Sequence, residues 1–521
     1  MNLVSSILLS FLVLVSITFA VKLLNWVWLR PKKLEKFLRK QGLDGNPYRL
    51  LLGDMNDLIK VMKSEKSKSI RFSDDLPSHI MPYYKQIIHK YGENSFIWFG
   101  PSPRLNITDP QMIKEILSEP ELFHKPIPDP IGETVAGGLS YLEDEKWVKH
   151  RRLINPAFHL QKLKNMTRAI RLSCLNVTDK WEALVSSNNG KPQEIDVWPY
   201  FEDLSGDMIS RVGFGSSHEQ GRRIFELQKE QAKLVLQLMQ LLFIPGFRHI
   251  PTKSNRRMKS ISNELQSLLK GVINERKEAM ERGEAVNEDL LGILMESNIR
   301  EIQEHGNKNL GMSKEDVIKE FKLFYFAGSE TTSSLLLWTM VMLSKHQDWQ
   351  SRTREEVLQF FGKNEPTFDG LNRLKIVTMI LHEVLRLYTP VPLLVRSPTK
   401  KVKVGNLTLP VGVDVFLQIG LLHHDQMIWG EDVNEFCWYK LKKRFSEGIS
   451  NATKVQFSFI PFSSGPRICI GQHLAMIEVK MALAMILQKF SFELSPSYLH
   501  APFSIFTLQP QYGAPLLFHK F

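Results

Sequence analysis

The chain opens on a run of apolar residues, 3–21, with no charged side chain over 19 positions, and the run ends at Lys22. As a helix it is long enough to cross roughly 30 Å of hydrocarbon. Met1 and Asn2 bring no basic start, and apolar character continues through Leu23, Leu24, Trp26, Val27 and Trp28. The stretch therefore reads as an uncleaved membrane anchor and not as a signal peptide. Further on, apolar residues recur at three-to-four spacing over 225–242, 255–282, Lys314–Lys345 and 348–361, which predicts four long helices. Shorter stretches at 95–99, 104–107, 401–404 and 414–418 predict strands, with Pro410, Val411 and Gly412 as turn residues before the last. The pattern predicts a mainly α body with small β-sheets. Phe243, Ile244, Pro245, Gly246 and Phe247 interrupt two helices with an apolar loop that fits either a core turn or an exposed tip dipping into lipid.

Composition narrows this picture only a little. Of the 521 residues 43% are hydrophobic and 23% charged, which excludes a disordered chain. The formal charge of +12 admits acidic partners, anionic lipid or nucleic acid, but no basic motif interleaved with aromatics points to nucleic acid. Arg30, Lys32, Lys33, Lys36, Arg39 and Lys40 follow the apolar run directly, and the positive-inside rule then places the body on the cytoplasmic side. The expected organisation is an anchor over 1–29, a basic linker over 30–50 and one large domain over 51–521. The three cysteines, Cys174, Cys437 and Cys469, are too few and too scattered for a disulfide framework, which suits a reducing compartment.

The chemistry concentrates in Phe462-Ser463-Ser464-Gly465-Pro466-Arg467-Ile468-Cys469-Ile470-Gly471. An intracellular cysteine is usually an inert hydrophobe. Here Gly465 and Gly471 are expected to permit sharp turns, Arg467 brings a cation near the sulfur, and a helical pattern begins at Gln472 whose first N–H groups would stabilise a thiolate. Elsewhere, Glu383 and Arg386 sit three apart on an otherwise apolar helical pattern, where a charged pair needs further partners. Ala327-Gly328-Ser329-Glu330-Thr331-Thr332 places poor helix formers inside a long helix. Either Gly328 serves close packing and a threonine bonds the preceding turn, or the same distortion opens the helix for a reaction.

With these residues in hand, the sequence resembles the cytochrome P450 family, the haem-thiolate monooxygenases, whose Phe-x-x-Gly-x-Arg-x-Cys-x-Gly signature it matches from Phe462 to Gly471. The resemblance implies the P450 fold with haem b as cofactor. It makes Cys469 the axial ligand of the haem iron, sets Phe462 near the sulfur, and has Arg467, Trp147, Arg151 and Arg396 meet the haem propionates. It further implies that Thr331 stabilises activated oxygen while Glu330 relays protons, and that Glu383 and Arg386 lock the fold with a downstream arginine, Arg444. The segment before Arg444 departs from the family by lacking Pro-Glu and running about four residues longer, so Cys437 to Lys443 are expected to form a surface excursion. The wording around Trp26 and around Trp147 is similar to the plant seventy-second family, whose members oxidise terpenoids, triterpenoids among them.

The expected reaction is oxidation of a lipophilic isoprenoid with O2 and electrons from NADPH. The chain has neither a Gly-x-Gly-x-x-Gly nor a phosphate loop, so a membrane-bound NADPH-cytochrome reductase is the expected partner, in the endoplasmic reticulum. Expected pocket walls are 126–139, 236–247, 324–327, 391–395 and 503–508. A haem-thiolate isomerase or dehydratase would share Cys469 but need no reductase, and Thr331 with Glu330 argues against it; an inactive haem-binding membrane protein would follow if the altered segment abolished activity. The histidines, His423 and His424 included, are expected to be ordinary turn or surface residues.

Overall fold

The computed structural model describes residues 3–66, 68–126, 135–188, 190–215, 218–242, 246–284, 288–306, 310–436, 457–504 and 506–521. Arg444 and the excursion from Cys437 to Lys443 lie outside these. The chain divides into two compact units, the first comprising Met1–Ser67, Ile80–Pro126 and Leu393–Gln418, the second Lys68–His79, Ile127–Pro392 and Ile419–Phe521.

The first unit begins with helix α1, Leu3–Leu24. It is long and apolar enough to cross a membrane, and its window of highest hydropathy is wholly exposed. A π-helical turn, Asn25–Leu29, joins it to α2, Arg30–Arg39. The turn has a local cause. Pro31 has no N–H to give to the Val27 carbonyl four residues back, and the Tyr48 hydroxyl donates to that carbonyl instead, at 2.7 Å. The expected basic linker over 30–50 is corrected here: Pro31, Leu34, Glu35 and Leu38 of α2 are buried. Glu35 accepts from Lys32 at 2.8 Å and pairs with Arg39 at 3.3 Å, so two of the basic charges are met within the helix. Five strands form one sheet in the order Phe96–Phe99, Ser102–Ile107, Asp414–Leu417, Leu394–Pro398 and Phe123–His124. Only the second and third pair in parallel. The strands expected at 95–99, 104–107, 401–404 and 414–418 are all present, each within two residues of its expected ends.

The second unit is built on helices: α3 (Asp144–Ile154), α4 (Val197–Phe214), α5 (His218–Leu242), α6 (Lys253–Glu281), α7 (Lys314–Lys345), α8 (Lys375–Leu387) and α9 (Gln472–Lys489). The longest, α7, has the bounds its periodicity predicts. Its start is set by a capping box in which Ser313 accepts from the Asp316 N–H and the Asp316 carboxylate accepts from the Ser313 N–H. Residues Leu335 to Leu343 of α7 are buried without interruption, as are Ile477 to Leu487 of α9, so both helices run through the core. A three-stranded antiparallel sheet, Gln193–Asp196, Pro515–Lys520 and Phe490–Leu494 in that order, completes the unit.

Helices α4, α5 and α7 meet at Gly221. A Cβ there would fall 1.9 Å from Ser210 Oγ and 2.7 Å from the Tyr325 hydroxyl, which itself donates to Ser210 Oγ at 3.0 Å. Helix propensity alone favours alanine over glycine by about 1 kcal/mol. Overpacking a close helix contact costs about 1–3 kcal/mol, and here the overlap is with hydroxyls already engaged with each other. Gly221→Ala is therefore expected to lower the thermal unfolding midpoint, and a raised midpoint would show that the contact is not tight.

Candidate functional site

The cysteine loop is shaped from both ends. Gly465 takes φ +71° and Ser463 φ +62°, left-handed conformations that fold the chain back so that the Cys469 N–H donates to the Phe462 carbonyl at 2.9 Å. Gly471 differs from expectation. Its φ is −88°, open to any residue, and a Cβ there would meet only Phe158, at 4.0 Å. What Gly471 provides is room, together with an N-cap that has no side-chain hydrogen bond. The N–H groups of Gly471 and Gln472 are thus free to face the sulfur. Burial pushes the Cys469 thiol up, opposed by these N–H groups and by the Arg151 guanidinium. Yet Cys469 keeps solvent access, so its neighbours enclose it without covering it.

Around the loop the structure gathers Trp147, Arg151 and Arg467. Arg151 Nη1 donates to the Ile468 carbonyl at 3.0 Å, tying α3 to the residue before the cysteine. The Arg467 guanidinium lies 4.5 Å over the Trp147 ring. It is also committed to Glu143, with which it forms an ion pair, and to the Leu142 carbonyl at 2.9 Å. Burial pulls the pKa of both arginines down. Arg396 lies in the first unit, in strand Leu394–Pro398, where it is buried and donates to the Val395 carbonyl at 2.8 Å.

The Glu383–Arg386 pair is fully buried and bidentate, with Nε to Oε2 at 2.8 Å and Nη2 to Oε1 at 2.6 Å. The further partners that such burial demands are backbone carbonyls: Arg386 Nη1 donates to His423 at 3.0 Å and Val433 at 2.8 Å. His423 lies in a turn, one of the two places expected for it, and not at the surface. It is buried, its Nε2 accepts the Ile460 N–H at 3.1 Å, and burial drives its pKa well below the usual range.

Helix α7 is continuous from Lys314 to Lys345. Gly328 serves packing, since a Cβ there would lie 3.0 Å from the Ile209 side chain. Thr331 donates to the Ala327 carbonyl at 2.8 Å. Glu330 turns to other partners, accepting from Gln509 at 2.7 Å and Thr507 at 3.3 Å. Burial first, then repulsion from Glu202, raises its pKa to about 7 against the attraction of Lys229. Lys229 and Glu202 pair at 2.5 Å.

Three functional candidates carry no sequence signal by spacing. His150 Nδ1 and Glu320 Oε1 lie 2.6 Å apart, both buried, and Glu320 Oε2 accepts the Leu139 N–H at 2.8 Å. Glu478 on α9 accepts from Thr332 at 3.1 Å. A lone carboxyl amid Leu474, Ile477, Val479 and Met481 is the one hint of it in the sequence.

The site suits a haem on grounds internal to the chain. It offers an accessible sulfur facing uncapped N–H groups, two desolvated arginines and a buried Arg467 Nε that has no hydrogen-bond partner among the described residues, a donor an anionic propionate would satisfy. Donor set and mainly α architecture together define a protein of the thiolate-ligated haem class. A sequence model described as Cytochrome P450 matches residues 73–512. The chain is 54% identical over 522 residues to "Cytochrome P450 CYP72A219" of Panax ginseng, covering all of both chains. It is 52% identical over 502 residues to "Cytochrome P450 72A397" of Kalopanax septemlobus, covering 96% of this chain and 95% of the relative. With "Cytochrome P450 72A15" of Arabidopsis thaliana the identity is 51% over 517 residues, 99% of each. The chain belongs to the cytochrome P450 family of haem monooxygenases, and its relatives place it in the plant seventy-second family.

Glu478 yields a pH prediction. Burial raises its pKa from 4.5 to about 8, against the Thr332 hydrogen bond. The folded state therefore binds a proton that the unfolded chain gives up, so this residue costs stability as pH rises from about 4.5 to about 8. In Glu478→Gln that dependence is removed. The melting temperature of the variant relative to the parent should climb between pH 5 and pH 8.5, and a flat difference would mean that Glu478 is ionised throughout.

Proposed function

We propose that the protein inserts one oxygen atom from O2 into a C–H bond of a lipophilic terpenoid, with electrons passed from NADPH by a membrane-bound reductase. The observation that carries this is the Cys469 sulfur at the uncapped start of α9. A haem b bound there would supply a thiolate-ligated iron whose electron-rich sulfur favours O–O cleavage. Cys469 would hold it, Phe462 would pack near the sulfur, and Trp147, Arg151, Arg467 and Arg396 would meet its propionates. The Thr331 hydroxyl hydrogen is occupied by the Ala327 carbonyl, which leaves its oxygen as an acceptor. Glu330, half protonated near neutrality, holds the proton to be delivered. Apolar members of four expected pocket walls, Val135, Leu238, Phe326 and Phe506, gather in one cluster, which suits a lipophilic substrate. The anchor α1 and the basic residues after it support a single-pass protein of the endoplasmic reticulum with a cytoplasmic body.

The test is the carbon monoxide difference spectrum of the reduced protein. The wild type should show the red-shifted thiolate band and Cys469→Ala should lose it with its haem. Cys174→Ser should keep it, because Cys174 is buried and its thiol is pushed well above the usual range. A normal thiolate band in Cys469→Ala would remove Cys469 as ligand.

Thr331→Ala should retain the spectrum but divert electrons to peroxide, lowering product per NADPH roughly tenfold or more. A donor must be protonated to act, so productive turnover should fall as pH rises through about 7, where Glu330 titrates. That limb should vanish in Glu330→Gln. Persistence of the same limb in the variant would assign it to another group.

Orientation is tested by glycosylation. Asn165, Asn176 and Asn406 each begin an Asn-x-Thr sequence and are exposed, so a lumenal body would offer accessible acceptors. A cytoplasmic body predicts no mass shift on endoglycosidase treatment.

A further inference from the structure

The chain over 135–140 lies against α7 on two consecutive glycines. Gly137 takes φ +68° and Gly138 φ +51°, a region other residues rarely adopt. A Cβ on Gly138 would fall 2.9 Å from the Lys319 carbonyl oxygen and 2.7 Å from Glu320 Oε2, so glycine is what lets the backbone come this close. The contact is polar at its centre. Glu320 has no exposed surface, and its two oxygens are divided: Oε2 accepts the Leu139 N–H at 2.8 Å and Oε1 faces His150 Nδ1 at 2.6 Å. His150 Nε2 has no hydrogen-bond partner among the described residues, so the ring's one hydrogen bond is directed at Glu320. The next residue, Arg151, ties α3 to the Ile468 carbonyl, and His150 thus backs Glu320 from a helix already fixed to the cysteine loop. An apolar pair would join α3 to α7 at less cost than a buried ionisable one. What the carboxyl adds is an acceptor for a backbone N–H that belongs to neither helix. The same segment carries Val135, which forms a buried apolar cluster with Val235 and Leu238 of α5, packed by Phe326 of α7.

We infer that Glu320, backed by His150, is a positioning residue for specificity: by holding the Leu139 N–H it seats 135–140 on α7 and so fixes Val135 in the apolar region that takes the substrate. This rests on the monooxygenase reading and deepens it. Neither Glu320 nor His150 touches substrate. Loss of the acceptor frees the segment from α7 and loosens the apolar region, while the cysteine loop keeps its own hydrogen bonds, from the Cys469 N–H to the Phe462 carbonyl and from Arg151 to the Ile468 carbonyl. A bulky apolar ligand then loses packing, and a small ligand that needs only the iron does not.

The experiment compares two azoles by spectral titration of the ferric full-length protein: imidazole, which is small, and clotrimazole, whose aryl rings must pack against the apolar region. In Glu320→Met the Leu139 N–H loses its acceptor, and clotrimazole affinity should fall about tenfold or more while imidazole affinity stays within about twofold. Glu320→Gln keeps an oxygen for the Leu139 N–H and should hold both affinities within about threefold of the wild type. Gly138→Ala breaks the same contact from the segment's side, so it should reproduce the selective loss and decides the matter if Glu320→Met does not fold. Hydrogen exchange in peptides spanning Leu139 should quicken about tenfold in Glu320→Met and not in Glu320→Gln. Parallel loss of both azoles would make the pair a purely structural one and overturn the inference. So would clotrimazole affinity that survives in the disrupted variants, a Gln variant as impaired as the Met variant, exchange at Leu139 equal in those two, or a wild type that does not bind clotrimazole. The carbon monoxide spectrum separates the two readings: loss of the thiolate band in the wild type defeats the monooxygenase assignment, whereas a normal band without the selective loss defeats only the positioning role.

Discussion

A guanidinium taken wholly out of water must have its charge and donors met, and Arg386 meets this demand by drawing three parts of the second unit together. Glu383, one turn back on α8, supplies the counter-charge, and the carbonyls of His423 and Val433 take the remaining nitrogen. The His423 ring then accepts the N–H of Ile460. The Ser463 N–H in turn donates to the Ile460 carbonyl at 3.0 Å, where the cysteine loop begins its turn. A line of hydrogen bonds thus runs from the ion pair to the loop that presents Cys469. Such a pair is costly to half-remove, because the survivor is left charged and buried, so its value lies in fixing one arrangement as much as in stability.

The long helix α7 plays a second organising part. Along its length it exposes successive polar groups to different neighbours: Glu320 to His150 and the Leu139 N–H, Glu330 to Gln509 and Thr507, Thr332 to Glu478. Glu330 and Glu478 are shifted toward the neutral form by burial. A helix threaded through a core can carry acids only if each is paired, neutral or reserved for a reactant. Glu330, raised to about 7, and Glu478, raised to about 8, both lie near physiological pH.

Much of this molecule was legible along the chain because the forces responsible are local. Nineteen uncharged positions specify α1, three-to-four spacing sets the bounds of α7, and glycine at 465 permits a positive φ that closes the cysteine loop. The uncapped start of α9 follows from Gly471 preceding Gln472, with no side chain able to cap. The helix at Arg30–Arg39 was hidden for an equally physical reason. Its basic residues resemble a solvated tether until one sees Leu34 and Leu38 buried and Glu35 placed between Lys32 and Arg39.

Tertiary structure alone decided which polar groups meet. His150 and Glu320 stand 170 residues apart, and Glu330 and Gln509 stand 179 apart. No periodicity links such positions, because their pairing is set by how helices cross and not by how they form. Residue type and spacing determined the class of chemistry, since a cysteine in a turn before an uncapped helix faces free N–H groups wherever that helix packs. Proton affinities and specificity depend on burial, and burial exists only once the chain has closed around them.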